Sequence, residues 1–201
     1  RSIAAINYIQ AIFTSSATEA LNRILLGLAT SANTSIYFSP FEHNAITRVA
    51  HHLKNTKGCK LTLLPFDPIT LEFNSEVCEE LFCNNRPDIL VITHASNVCG
   101  AIFPIKEITS LAKKFGAITI VDRSQSAGIV PCNISSDNID FAVFAGHKSL
   151  LGPFGIGGFI CKQNENRLSP ILFGGNGINS EAQDMPSELE QMEEIGSKNV
   201  Y

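Results

Sequence analysis

Short apolar, β-rich runs alternate with helical patterns along most of the 201 residues. The predicted strands are residues 11–14, 35–38, 61–64, 89–93, 117–121, 140–144 and 156–161. The predicted helices are residues 17–29, 44–55, 74–84 and 105–115. The runs at 89–93 and 117–121 are continuously apolar, which is typical of strands covered on both faces. The sequence therefore predicts an α/β fold, with a seven-stranded, mostly parallel sheet and helices on both faces.

The last two predicted strands should be antiparallel, because the glycine-rich connection between them is too short for a crossover helix. After Cys161 the composition becomes polar and glycine-rich, with one predicted helix near residues 186–195. We therefore predict a domain over residues 1–165. Residues 166–201 would form a tail that leads toward a C-terminal domain absent from the chain. The chain starts at Arg1, so we expect a fragment or a truncated copy.

Composition limits the classes of partner. The net charge is −4 without a basic block, which argues against nucleic acid or an anionic membrane surface and favours a small-molecule partner. No apolar run is long enough to span a bilayer, and no metal site is predicted. The six cysteines contain no CxxC pair and several lie in apolar runs, which predicts buried reduced thiols and a cytoplasmic protein.

Lys148 is the main candidate for covalent chemistry. It follows the apolar run that ends at Phe144, with His147 before it and a glycine-rich turn after it, in the stretch FAGHKSLLGPFGIGG. An ammonium at the end of a buried strand is costly unless its charge is paired or removed, and forming an imine with an aldehyde removes it. The alternative is a solvated surface lysine.

Other polar residues follow the remaining predicted strands, where ligands gather in parallel α/β folds. Ala17 and Thr18 begin a helix, whose free N–H groups and dipole can bind an anion; simple N-capping by Ser16 is the alternative. Further candidates are His43, Asn97, Asp122 and Gln125. His43 could be only a capping residue, and Asp122 could only cap the next turn. Together with Lys148 they match the phosphate, ring, ring nitrogen, phenolic oxygen and aldehyde of pyridoxal phosphate.

The motifs ATEALN, EHNA, THASNVCG, VDxxQ, GHKSLLGPFGIGG and EIGSKN occur in this order between about Ala11 and Asn199. In them the chain resembles the class V aminotransferase group of type I pyridoxal phosphate enzymes, and within it the large domain of the cysteine desulfurases. GHK followed by a glycine-rich turn is the specific part of the resemblance.

The resemblance implies a role for each motif residue. Lys148 would form the Schiff base with the cofactor, and His147 would bind the phosphate together with Ala17 and Thr18. His43 would stack on the pyridine ring and, with Lys148, act in catalysis. Asp122 would pair with the ring nitrogen, while Gln125 and Asn97 would reach the phenolic oxygen.

The resemblance also implies a homodimer, an amino-acid substrate and a sulfur-acceptor protein. Gly174 and Gly175 lie where relatives have a turn that completes the phosphate site of the neighbouring subunit.

The chain departs from the family pattern at several positions. Relatives usually have small residues between the aspartate and the glutamine. Arg123 and Ser124 occupy that gap here, and the bulky Arg123 must point away for the ring to lie flat. Ala145 replaces a hydroxyl residue of many desulfurases. No cysteine occupies the position of the mobile sulfur-accepting cysteine of relatives, which lies in their C-terminal domain. We predict that Cys99 is a packing residue, since free cysteines are usually small buried hydrophobes.

The predicted function is that of a cysteine desulfurase-like enzyme acting on L-cysteine or a related amino acid. A class V aminotransferase, a selenocysteine lyase or a cysteine sulfinate lyase would share these motifs. A further alternative is a truncated remnant without turnover that acts as a binding or dimerisation module.

Overall fold

The computed structural model describes residues 9–162 and 168–173. The strands are β1 (Ile9–Thr14), β2 (Ser35–Phe38), β3 (Lys60–Leu63), β4 (Ile89–Thr93), β5 (Ile118–Asp122), β6 (Phe141–Ala145) and β7 (Gly157–Lys162). The helices are α1 (Ala17–Leu28), α2 (Asn44–Lys57), α3 (Ser75–Asn84) and α4 (Ile105–Lys114). Within these residues every predicted strand and helix is confirmed, with boundaries that differ by at most two residues.

The strands form one sheet in the order β1-β7-β6-β5-β4-β2-β3. The pairs β2–β3, β2–β4, β4–β5 and β5–β6 are parallel, whereas β7 is antiparallel to both of its neighbours, β1 and β6. The predicted parallel sheet and the predicted antiparallel last pair are both confirmed. Because β1 and β6 each oppose β7, they run in the same direction. The carboxyl ends of β1 to β6 therefore meet at one edge, together with the start of β7.

Helices cover both faces of the sheet, as predicted. One apolar cluster joins α1 and α2 to the sheet, and Ile24 and Leu53 are fully buried in it. The other cluster joins α3 and α4 to the opposite face, with Phe82 and Ile108 at its centre. All five residues of β4 are buried, which explains why its sequence is apolar without alternation.

The start of α1 has a side-chain cap. Ser16 is the N-cap, and its Oγ accepts a hydrogen bond from Glu19 N at 3.1 Å. Buried residues then follow at helical spacing, at Ala20, Leu21, Ile24 and Leu25. The chain therefore leaves β1, turns once and packs α1 back onto the sheet, which places the first turn of α1 at the carboxyl edge.

Two predictions about side-chain burial need correction. Cys59, Cys78 and Cys161 are buried, but Cys83 and Cys99 are exposed. Cys99 is therefore not a packing residue: it lies in the tight turn after β4, where the Gly100 N–H bonds to Ser96 O at 3.0 Å. A turn of that size leaves no interior in which to bury a side chain.

Several predictions fall on the tail. The helix near residues 186–195, the predicted boundary at residue 165, and Gly174 and Gly175 all lie outside the described residues. Within the part of the chain that the structure describes, every helix is too short or too polar to cross a membrane.

Candidate active site

A pocket of about 230 Å³ opens at the carboxyl edge of the sheet. Its wall contains every residue that the sequence predicts for cofactor binding. They are Ala17, Thr18, His43, Asn97, Asp122, Gln125, His147 and Lys148. The fold thus brings together residues that are up to 131 positions apart, Ala17 and Lys148, because the ends of β1, β2, β4, β5 and β6 converge there.

The first turn of α1 forms one wall of the pocket. Ala17 and Thr18 are the first two residues of the helix, so their N–H groups have no partner within it. The carboxylate of Glu19 does not line the pocket, and its Oε2 accepts a hydrogen bond from Ser15 N at 2.9 Å. N-capping by Ser16, the alternative considered above, therefore coexists with a helix start that can receive an anion.

Gly157 allows β7 to approach this helix start closely. A Cβ at Gly157 would lie 2.5 Å from Ala17 N and would also overlap the carbonyl carbon of Ser16. The glycine after Ile156 in the motif GIGG is thus required by packing against the proposed anion cradle.

His43 lines the pocket and is also the N-cap of α2. Its Nδ1 accepts a hydrogen bond from Ala45 N at 3.1 Å. In the neutral ring the proton is therefore on Nε2. The capping alternative is thus observed, and the same bond holds the imidazole in a defined orientation at the pocket wall.

Asp122, the last residue of β5, is 5% exposed. Its Oδ1 accepts from Ser124 N at 2.8 Å, and its backbone carbonyl accepts from His94 N at 2.9 Å. The predicted capping of the next turn is therefore observed as well. These bonds fix the carboxylate at the base of the pocket and shape the turn that presents Gln125.

Arg123 turns away from the pocket, as the sequence required. Its Nη2 donates to the carbonyl oxygen of Val130 at 2.6 Å, on the far side of the turn. Ser126 is directed to the same side and its Oγ lies 2.9 Å from His94 Nδ1. Burial and the positive charge of Arg123 lower the pKa of His94, which keeps its imidazole neutral.

Lys148 lies in a turn that is held by one hydrogen bond within itself and one to the loop after Asp122. The turn closes on itself through a bond from Gly152 N to Gly146 O at 2.7 Å. Ser149 Oγ donates to Ala127 O at 2.6 Å, which joins this turn to the loop after Asp122. Lys148 is partly buried at the pocket wall.

His147 precedes it and stacks on Phe154, with ring centroids 5.1 Å apart and an interplanar angle of 24°. The stacking orients the imidazole of His147, which lines the same pocket as Ala17 and Thr18 of the first turn of α1.

Glu42 was not predicted as a site residue; its side chain is half-buried and its carboxylate is turned inward. Its Oε1 accepts from Ser39 Oγ at 2.5 Å and from Thr93 N at 2.9 Å. Its Oε2 is buried and has no hydrogen-bond partner among the described residues. Burial raises the pKa of Glu42 to about 8, and the negative charge of Asp122 adds to the shift. The signal in the sequence was an acidic residue directly before His43, just past a buried strand.

The donor set suits pyridoxal phosphate. Helix N–H groups and a histidine can bind a phosphate, a flat imidazole can cover a ring, and a buried carboxylate can pair with a protonated ring nitrogen. The pocket, at about 230 Å³, is smaller than the roughly 300–1,000 Å³ typical for drug-sized ligands.

Comparison with known proteins supports the same family. The model of the family "Aminotransferase class-V" matches residues 2–201. A probable cysteine desulfurase of Pyrococcus abyssi is 31% identical over 169 residues, which are 83% of this chain and 41% of that protein.

Two solved structures show the same fold. The apo structure of the cysteine desulfurase from Thermococcus onnurineus NA1 has a TM-score of 0.80 and 28% identity, covering 91% of this chain and 46% of that one. SspA in complex with cysteine has a TM-score of 0.71 and 25% identity, covering 82% and 48%. The chain thus spans somewhat less than half the length of the relatives it matches. The chain belongs to the class V aminotransferase family.

Proposed function

We propose that this chain is the cofactor-binding part of a pyridoxal phosphate-dependent, cysteine desulfurase-like enzyme that acts on L-cysteine or a related amino acid. The observation that carries the proposal is that Lys148, Asp122 and the start of α1 line one pocket. The similarity to cysteine desulfurases and to a protein solved with cysteine supports the substrate class.

Each wall of the pocket has a binding role in this proposal. The N–H groups of Ala17 and Thr18 bind the phosphate together with His147, and the helix dipole adds to the attraction. The imidazole of His43 covers one face of the ring, and the carboxylate of Asp122 pairs with the ring nitrogen.

Gln125 and Asn97 donate to the phenolic oxygen. They lie at the ends of two neighbouring strands, β5 and β4, so one edge of a flat ring can meet both. Ala145 contributes no hydroxyl to the phosphate, which leaves that contact to Thr18 and His147.

Lys148 provides the covalent attachment and the proton transfer. When bound, the cofactor supplies an aldehyde carbon and an electron-withdrawing ring. The Nζ of Lys148 would hold the cofactor at that carbon, and as a free neutral amine it would accept the Cα proton of a bound amino acid. A hydrogen bond from Ser149 fixes the turn that carries Lys148 to the loop after Asp122. The backbone positions of Lys148 and Asp122 are therefore fixed relative to each other.

We also propose that the complete protein is a cytoplasmic homodimer that passes sulfur to an acceptor protein. Leu151 and Phe154, in the turn after Lys148, are 91% and 82% exposed, and a second subunit would cover them. Three buried thiols agree with a reducing compartment.

Reduction of the cofactor complex with borohydride tests the proposal. Protein reconstituted with pyridoxal phosphate should be yellow, and after reduction, mass spectrometry should find the cofactor on the peptide that contains Lys148. Lys148→Ala should abolish labelling, whereas Lys114→Ala, at an exposed position of α4, should not change it. An adduct on a different lysine, or only weak labelling spread over many, would contradict the proposal.

A further inference from the structure

Glu42 joins two segments of the site without itself lining the pocket. It lies between the end of β2 and the N-cap of α2, and its Oε1 receives bonds from Ser39 Oγ and from Thr93 N. Thr93 is the last residue of β4 and lines the pocket. A single carboxyl oxygen therefore connects the loop that carries His43 to the central strands.

The same loop has a second anchor one residue earlier. Phe41 stacks on Phe103 at a centroid distance of 4.9 Å and contacts Phe66 edge-on at 5.3 Å. Phe41 is held by an apolar cluster, and Glu42 by hydrogen bonds. His43 follows both directly, so its backbone position depends on these two anchors.

The surroundings of the second carboxyl oxygen of Glu42 determine whether this residue is charged or neutral. Oε2 is buried without a hydrogen-bond partner among the described residues, and a buried unpaired charge there would be costly. The negative charge of Asp122, at the end of β5, opposes ionisation of Glu42. The basic groups around the pocket are His43 on the adjoining loop, and His147 and Lys148 in the turn after β6. Since Oε1 accepts two bonds, the proton belongs on Oε2.

We propose that Glu42 is a positioning residue that acts as a neutral carboxylic acid. It holds His43 over the pocket and leaves Asp122 as the carboxylate charge that faces the ring nitrogen. The reference to the ring rests on the proposed function, whereas the effect on His43 is a property of the chain alone.

Matched substitutions separate the two features of Glu42. Glu42→Gln keeps an acceptor oxygen but cannot ionise. Glu42→Ala removes the acceptor oxygen together with the ionisable group. Ser39→Ala removes one of the two bonds and leaves the acid in place, which provides a milder variant if Glu42→Ala does not fold. Glu80→Ala, at an exposed position of α3, is the control.

The first measurement follows the His43 ring in the protein without cofactor. Its imidazole resonances, assigned with His43→Gln, should be the same in the wild type and in Glu42→Gln at neutral pH, and displaced in Glu42→Ala and Ser39→Ala. In the wild type they should show an inflection near pH 8, where Glu42 ionises, and Glu42→Gln should lack it. Unchanged resonances in Glu42→Ala and Ser39→Ala, or an inflection that persists in Glu42→Gln, would overturn the proposal.

The second measurement is an absorbance titration with pyridoxal phosphate. Glu42→Ala should weaken binding by about tenfold, the effect expected when the stacking of His43 is lost. Glu42→Gln should bind as the wild type does, and a loss equal to that of Glu42→Ala would overturn the neutral-acid role. If the wild type does not bind the cofactor, the proposed function fails, and the resonances of His43 still decide the role of Glu42.

Discussion

Gly157 and Ala17 are in direct backbone contact, since a Cβ on Gly157 would lie 2.5 Å from the Ala17 nitrogen. The contact joins the start of β7 to the first turn of α1, which is the proposed phosphate cradle. The glycine-rich end of the lysine motif is therefore a packing requirement of a helix that begins 140 residues earlier in the chain.

Gly157→Ala should displace the first turn of α1. We expect a loss of about 1–3 kcal/mol in the free energy of unfolding, as is typical of overpacking, together with weaker binding of pyridoxal phosphate. Urea denaturation and a cofactor titration measure the two effects. Gly58→Ala is the control: it has a positive φ of 74° but no atom near the added methyl, so it should lower stability and leave cofactor affinity unchanged. Equal cofactor affinity in Gly157→Ala and the wild type would show that the contact does not shape the cradle.

Asp122→Ala should weaken cofactor binding more than His43→Ala does. The first leaves a protonated ring nitrogen without its partner in a buried site, at a cost of roughly 3–5 kcal/mol. The second removes stacking worth about 0.5–1.5 kcal/mol, or about tenfold in affinity. Titration of each variant with pyridoxal phosphate gives both numbers. A larger loss of cofactor affinity in His43→Ala than in Asp122→Ala would contradict the roles proposed for the two residues.

Glu42 should make stability depend on pH. Its pKa is about 8 in the folded chain against an ordinary value of 4.5, so the folded state holds this proton more tightly. The stabilisation is complete below the ordinary pKa and is lost as pH rises through about 8. Over that range the wild type should lose on the order of 5 kcal/mol relative to Glu42→Gln.

Urea denaturation of both proteins at several pH values measures this difference, in which the other titrating groups cancel. A difference in stability that is constant with pH would mean that Glu42 ionises normally in the folded chain.

The cysteines should differ in their reactivity toward iodoacetamide. Cys99 is exposed, and a hydrogen bond with the Ser96 side chain lowers its pKa, whereas burial raises the pKa of Cys78 to about 12. Because the thiolate is the reactive form, Cys99 should be alkylated first and Cys78 last. Cys83 is the matched control, being exposed without that bond to Ser96. Mass spectrometry over time measures the order, and Cys83 reacting before Cys99 would contradict it.

Local features of the sequence determined the elements and the members of the candidate site. Burial on both faces makes a strand continuously apolar, as in β4, and helical spacing of apolar residues identified α1 to α4. Lys148 and Asp122 could be predicted as site residues because Lys148 follows a buried apolar run and Asp122 ends one. A charge at such a position is costly unless it is paired or removed. The antiparallel direction of β7 followed from the length of one connection.

The tertiary structure alone decided how distant segments pair and where side chains point. No local pattern places β1 beside β7, because strand order depends on contacts between residues far apart in the chain. The direction of Arg123 is set by the carbonyl of Val130, and the exposure of Cys99 by the size of its turn. Glu42 gains its raised pKa from burial and from the charge of Asp122 at the end of β5, since the pKa of a carboxyl group depends on what surrounds it in space.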